Sequence, residues 1–199
     1  MNIQFRNEAR YCRYSPTTMN LRGTDELGMG YWVRLRIQNT GKSVLRACEG
    51  RLEVITNVAN GEAEHDFDPV VLHWVGHAPG AIDINKNEHE FLDLFFVWEH
   101  VPTKYIIYAE DMTPRGIPLV RTKKHVRLDG SIYGRNMNPV PFQLDVDFDK
   151  GWYECKINGI PNNQAPPKYS LGSPTLHIDT TTACSTSGSF AQIFLGDHD

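Results

Sequence analysis

Alternation of apolar and polar residues at every second position is the dominant pattern in this chain. It is clearest in Tyr31–Gln38, where Val33, Leu35 and Ile37 fall on one side and Arg34, Arg36 and Gln38 on the other. That period belongs to a strand with one buried and one wet face. The turn residues Asn39-Thr-Gly-Lys-Ser43 follow. Alternation then resumes from Ala47 to Thr56, with Cys48, Leu52 and Val54 opposite Glu49, Arg51 and Glu53. The two segments together read as a β-hairpin. Asn60-Gly61 marks a further tight turn, the polar stretch Glu62 to Asp68 ending at Pro69 reads as a loop, and Val70–Trp74 is a short strand-like run.

Residues 81–98 fit two periods. Phe91, Leu94, Phe95 and Trp98 have helical spacing, whereas Leu92, Leu94, Phe96 and Trp98 share one face of a strand. The aromatic content, the lack of alanine beyond Ala81 and the strand-like neighbours decide for a strand, although Asn87 with Glu90 has the form of a helix capping box. Lys104–Ala109 and His125–Tyr133 follow as strands, joined through Pro114, Gly116 and Pro118. Val140, Phe142, Leu144, Val146 and Phe148 then alternate with Gln143, Asp145 and Asp147, so this strand buries one side and wets the other. Beyond Ile157 the chain turns to Pro, Gly, Ser and Thr, with one apolar cluster at Phe190–Leu195. The pattern predicts an all-β, immunoglobulin-like antiparallel β-sandwich of about seven to nine strands over residues 1–157. Residues 158–199 are expected to form a partly disordered or loosely docked tail.

Composition narrows the classes. A chain of 199 residues is long enough for one hydrophobic core. Its net charge of −4 comes from interleaved acids and bases, so nucleic acid is not an expected partner. The densest basic run, Arg121-Thr-Lys-Lys-His-Val-Arg127, is expected to be a solvated strand entrance. Cys12, Cys48, Cys155 and Cys184 form no C-x-x-C pair, which points to a reducing compartment. The first residues have no apolar signal-type core, and no stretch approaches the roughly 20 apolar residues that span a bilayer. A cytoplasmic protein without membrane contact is the expectation.

The segment V-R-L-R-I-Q-N-T-G-K-S-V-L-R-A-C-E-G-R-L within Trp32–Leu52 resembles the strand, Asn-Thr-Gly turn and strand of bacterial immunoglobulin-like sandwich domains, including the CARDB cell-adhesion type. The likeness covers about a tenth of the chain. It implies a sandwich fold and a binding or structural role, and it brings no catalytic residues with it. The absent secretion signal departs from the adhesion pattern.

Five groups of residues carry candidate chemistry. His65, Asp66 and Asp68, followed by His73 and His77, are competent ligands for zinc or iron. On an extended strand, however, residues 73 and 77 stand about 13 Å apart, too far for one ion unless Gly76 bends the chain. Polar loop and strand-end groups are the plainer reading. Glu88, His89, Glu90 and Asp93 offer acids and a base, yet neighbours on a strand point to opposite faces. Asp145, Asp147 and Asp149 share a face and could hold calcium, but they spread over roughly 14 Å with no calcium loop around them. Cys48 keeps phase with Leu52 and reads as a small core residue, and Cys155 lies on a strand-like segment. Trp32 and Trp98 could serve a sugar platform, though strands of a sandwich need such residues as core filler. No nucleophile elbow, phosphate loop or dinucleotide fingerprint occurs in the chain. The expected function is therefore a non-enzymatic interaction or structural module for a protein partner, with no metal or cofactor. A carbohydrate- or metal-binding sandwich is the alternative, and a metal-dependent hydrolase using the His65–His77 region comes third.

Overall fold

The computed structural model describes residues 1–6, 11–21, 24–110, 120–122, 124–148 and 156–158. Its strands are, in chain order, β1 (Asn2–Gln4), β2 (Cys12–Leu21), β3 (Thr24–Gln38), β4 (Leu45–Asn57), β5 (Glu62–Ala63), β6 (Val70–Leu72), β7 (Ile82–Ile84), β8 (His89–Trp98), β9 (Lys104–Ile107), β10 (Val120–Thr122), β11 (Val126–Tyr133), β12 (Val140–Asp147) and β13 (Lys156–Asn158). One sheet has the order β1-β3-β8-β9-β10, with β2 also on β3; the other has the order β13-β12-β11-β4-β5, with β6 and β7 also on β4. All-β and sandwich-like, the two antiparallel sheets close over one core drawn from both. The thirteen strands among the described residues exceed the seven to nine expected because several have only two to four residues, too few to show a period. One of them, β5, lies inside the stretch read as a loop. The Pro114–Pro118 connection, Asp149, Cys155, Cys184 and the tail beyond Asn158 lie outside the described residues.

The expected hairpin of Tyr31–Gln38 with Ala47–Thr56 does not form. Strand β3 belongs to the six-stranded sheet and β4 to the seven-stranded one, so the Asn39–Ser43 turn crosses between layers. Asn39 explains the difference. It is fully buried, its Nδ2 donates to the carbonyls of Ser43 at 2.8 Å and Ile84 at 3.0 Å, and its Oδ1 accepts from the Gly41 amide at 2.9 Å. Its backbone also exchanges bonds with the 85–88 turn, through Asn39 N to Glu88 O and Asn87 N to Asn39 O, both 3.0 Å. Burial of an amide with its bonding capacity used fixes the corner.

The stretch 81–98 is strand rather than helix, as expected, but not one strand: β7 pairs with β4, β8 pairs with β3, and Asn87 sits in the turn between them at positive φ rather than at a helix start. Both long sheets carry a bulge that changes which side chains face inward. In β8, Val33 faces Phe95 while Arg34 faces Asp93, leaving Leu94 as the extra residue. Leu92, Leu94, Phe95 and Val97 therefore enter the main core, and Phe96 and Trp98 turn to the opposite face. In β4, Asp129 faces Val54 and Gly130 faces Leu52, so Glu53 is extra and the phase slips. Ile55 rather than Val54 follows Leu52 into the core, and Val54 is 39% exposed.

The segment after β6 ties the sheets together. β6 pairs with β4, and the next residues insert between β8 and the end of β9, bridging Leu72 to Ala109 and Trp74 to Leu92. His73 lies at the centre of this wedge. Its carbonyl accepts from Asp93 N at 2.9 Å and its amide donates to Tyr108 O at 3.4 Å. Leu72 and Trp74 point into the main core, so His73 between them points outward from the six-stranded sheet.

Candidate functional site

The outer face of the six-stranded sheet is where the chain places unusual chemistry. A second apolar cluster covers it, made of Met19, Trp32, Phe96, Trp98, Ile106 and Tyr108. Trp32 stacks on Phe96 with centroids 4.4 Å apart, Tyr108 meets Trp32 edge-on at 5.0 Å, and Trp32 Nε1 donates to Thr17 Oγ1 at 3.0 Å. Two glycines make room for the indoles: a Cβ on Gly28 would lie 2.6 Å from Trp98 Nε1, and one on Gly30 would lie 2.8 Å from Trp32 Nε1.

At the border of this cluster stand four polar side chains. Arg34 Nε donates to Asp93 Oδ1 at 2.6 Å, both side chains being nearly buried. The Arg34 guanidinium lies 5.9 Å from the Trp32 ring, and His73 meets Tyr108 edge-on at 5.2 Å. Burial pushes the Asp93 carboxyl up to about 6 against the pull of Arg34. Burial, with His77 and Arg34 adding positive potential, lowers the His73 imidazole. The Tyr108 phenol is raised, first by burial and then by Asp93. A carboxylate, a guanidinium, an imidazole and a phenol thus share one low-dielectric border, the setting in which perturbed acids and bases mark functional candidates.

The expected constellations are redistributed. Gly76, at a φ of +78°, bends the chain, and His77 N donates to Trp74 O at 3.2 Å. The extended 73–77 geometry is therefore corrected to a turn, since only glycine takes this left-handed backbone without strain. Even so His77 turns to Glu90, with Nε2 and Oε2 3.1 Å apart. Asp66 lies elsewhere, its carbonyl accepting from Arg121 Nη2 at 3.2 Å, and His65 and Asp68 are exposed on the same loop. Among the described residues no three His, Cys, Asp or Glu side chains gather as a metal site.

Of the acids near β8, Glu88 accepts from Asn85 in the turn, Glu90 meets His77, and Asp93 meets Arg34. Asp145 accepts from Arg127 Nε at 2.8 Å on the wet face of β12. The 121–127 run is not wholly solvated. Arg121 is buried over the Phe67 ring at 5.7 Å, with its Nε 3.1 Å from Glu64 Oε2, and Lys124 reaches the other Glu64 oxygen at 3.0 Å. Trp32 and Trp98 are buried, so neither offers a ring face. Cys48 lies in the core, as its phase predicts.

Sequence reasoning missed the Arg34–Asp93 pair because Arg34 kept the phase of a wet face and the Leu94 bulge hid its partner. Compared with protein-family models, curated proteins and solved structures, the chain matches none. Among the described residues no helix is long and apolar enough to cross a membrane.

Proposed function

We propose that the chain is a non-enzymatic, cytoplasmic interaction module of immunoglobulin-like build that binds a protein through the β2–β3 hairpin. The observation that carries this reading is the course of the hairpin's inward face. Cross-strand partners Tyr14 and Tyr31, Pro16 and Met29, and Thr18 and Leu27 share that face. Tyr31 belongs to the core, but farther out Tyr14 is 41% exposed and Leu27 is 68% exposed. β8 accompanies β3 only from Gly30 onward. The outer half of the hairpin thus extends a core-type stripe past its cover, which is how contact surfaces differ from scattered surface leucines. Exposed Asp25 stands two residues before Leu27 on the same face of β3, so the complementary partner presents an apolar strip with a basic rim.

Contact through the face fits better than strand addition along the edge. Met29 N and O both bond Glu99, at 2.7 and 3.0 Å. Met29 and its partner Pro16 are therefore a non-hydrogen-bonded pair, and the Pro16 nitrogen, which has no proton, faces the open edge. Kinship with adhesion-type domains belongs to the same reading and rests on the Trp32–Leu52 pattern. The cytoplasmic part of the reading is supported by Cys48, a core cysteine that is a free thiol rather than half of a disulfide.

The test compares full-length protein with Leu27→Asp, immobilised and exposed to extract of the native host at physiological salt. The expected result is a retained protein that is lost on the variant, with melting temperature unchanged because the site is exposed. Equal retention by both chains overturns the hairpin as the surface. Retention of nothing by the wild-type chain overturns the module itself.

A further inference from the structure

Independently of that surface, we propose that His73 is an acid-sensitive latch: protonating its imidazole drives the Leu72–His77 wedge out from between β8 and β9. The geometry supplies both the lock and the trigger. On the side of β8 and the β9 extension the wedge is held by His73 N to Tyr108 O, Asp93 N to His73 O and Val75 N to Phe91 O at 2.9 Å, with Glu110 N to Val71 O at 2.8 Å just before it, and on the core side by buried Leu72 and Trp74, whose Nε1 donates to Cys48 O at 3.2 Å. Among the described residues this segment lies beside the two-residue pairing of β8 with β9, Phe95 with Ile107 and Phe96 with Ile106, through the bridges of Leu72 to Ala109 and Trp74 to Leu92. The groups around the imidazole come from every neighbouring element: Arg34 from β3, Asp93 from β8, Tyr108 beyond β9, and His77 on the wedge itself, which Glu90 holds. A proton on His73 places a second cation near Arg34 on a largely buried border, where like charges are poorly screened.

The titrations separate by sign. His73 has a folded pKa below its ordinary value, so its contribution is fully present above about pH 6.5 and is lost as pH falls below that value. Asp93 has a folded pKa above its ordinary value, so the folded state takes up its proton first and acidification through about 6 adds global stability. Locally, however, neutral Asp93 removes the counter-charge of Arg34, which sharpens the repulsion felt at a protonated His73. Local release of the wedge and global unfolding are therefore distinguishable, since protonation of Asp93 favours the first and opposes the second.

The experiment is amide hydrogen exchange on the full chain at pH 7.5 and 5.5, corrected for the intrinsic pH dependence of exchange, for wild type and His73→Gln. Wild type is expected to show up to roughly tenfold faster exchange at Asp93 and Val75 at the lower pH, the limit set by an open-state imidazole that titrates near its ordinary value of about 6.5. His73→Gln is expected to show no such rise. Should the variant fail to fold, the ring resonances of His73 in wild type decide alone: a midpoint below 6.5 that coincides with amide exposure supports the latch. An ordinary midpoint with unchanged amides overturns it, as does an equal rise in both chains.

Discussion

The outer faces of the two sheets differ as sharply as any two regions of this molecule. On the seven-stranded sheet the outward residues are polar and in water: Glu49 with Arg51, Arg127 with Asp145, Asp129 with Gln143, and Arg51 over the ring of Tyr133 at 5.4 Å. On the six-stranded sheet the outward residues are Trp32, Phe96, Trp98 and Tyr108, with Arg34, Asp93 and His73 at their border, all of them largely buried. A sandwich needs one dry face per sheet. The wet face costs nothing to maintain, whereas the second dry face forces charged groups out of water. The comparison teaches where selection for something other than folding is to be sought, because a buried ion pair is seldom worth more to stability than apolar side chains of the same volume.

The inner core sets the scale. Leu144→Asp puts a charge among Phe142, Val146 and Phe148, where the partner strand offers Leu128 and no counter-charge. The expected outcome is loss of the folded state, a cost above about 4 kcal/mol set against a total stability that is commonly only about 5–15 kcal/mol. Circular dichroism and solubility of the expressed chain check it. A folded Leu144→Asp protein would reverse the inward and outward faces of β12.

Next in size is the charge that is answered. Asp93→Ala leaves Arg34 buried beside Trp32 without its carboxylate and is expected to cost about 3–5 kcal/mol. The double variant Arg34→Met with Asp93→Leu is expected to recover nearly all of that, or to exceed wild type, in denaturant midpoint. Recovery would sharpen the contrast between the faces by showing that the pair is retained for a reason other than stability. A double variant as unstable as Asp93→Ala alone would instead make the pair part of the fold's framework.

The dry face was hard to read from sequence for a physical reason. Alternation marks one buried side, and it located β3, β9, β11 and β12 along with the inward Phe142, Leu144, Val146 and Phe148. A bulge inserts one residue and leaves no compositional trace, so Leu94 and Glu53 moved Phe96, Trp98, Val54 and Ile55 to unexpected faces. Asn39 carried a turn signal that served equally for a hairpin and for a crossing between layers, because its role depends on carbonyls that arrive from Ile84 and Glu88. The Gly28-Met-Gly30 run held the one local clue to the outer cluster. Two small residues on one face of a strand leave volume for large side chains opposite, here Trp98 and Trp32. The site residues Arg34, Asp93, His73 and Tyr108 come from four separate strands or their extensions, so their convergence is long-range and invisible to spacing.

The smallest expected effect lies on the wet face and completes the comparison. Asp145 accepts from Arg127 Nε at 2.8 Å, nearly the distance at which Asp93 accepts from Arg34, but here the side chains are 31% and 40% exposed against 5% and 12%. Water and salt screen the attraction, and ordering two long side chains offsets most of what remains, so exposed pairs add little to stability. Asp145→Asn keeps the shape and one acceptor oxygen while removing the charge. Its melting temperature is expected to match wild type at both low and moderate salt, whereas Asp93→Asn, which leaves the same kind of arginine uncompensated away from water, is expected to lower it. Thermal melts of the two variants at two salt concentrations check the pair of outcomes. Equal losses from both would mean that the outer faces do not differ in dielectric setting, and the distinction drawn between the two sheets would fall with it.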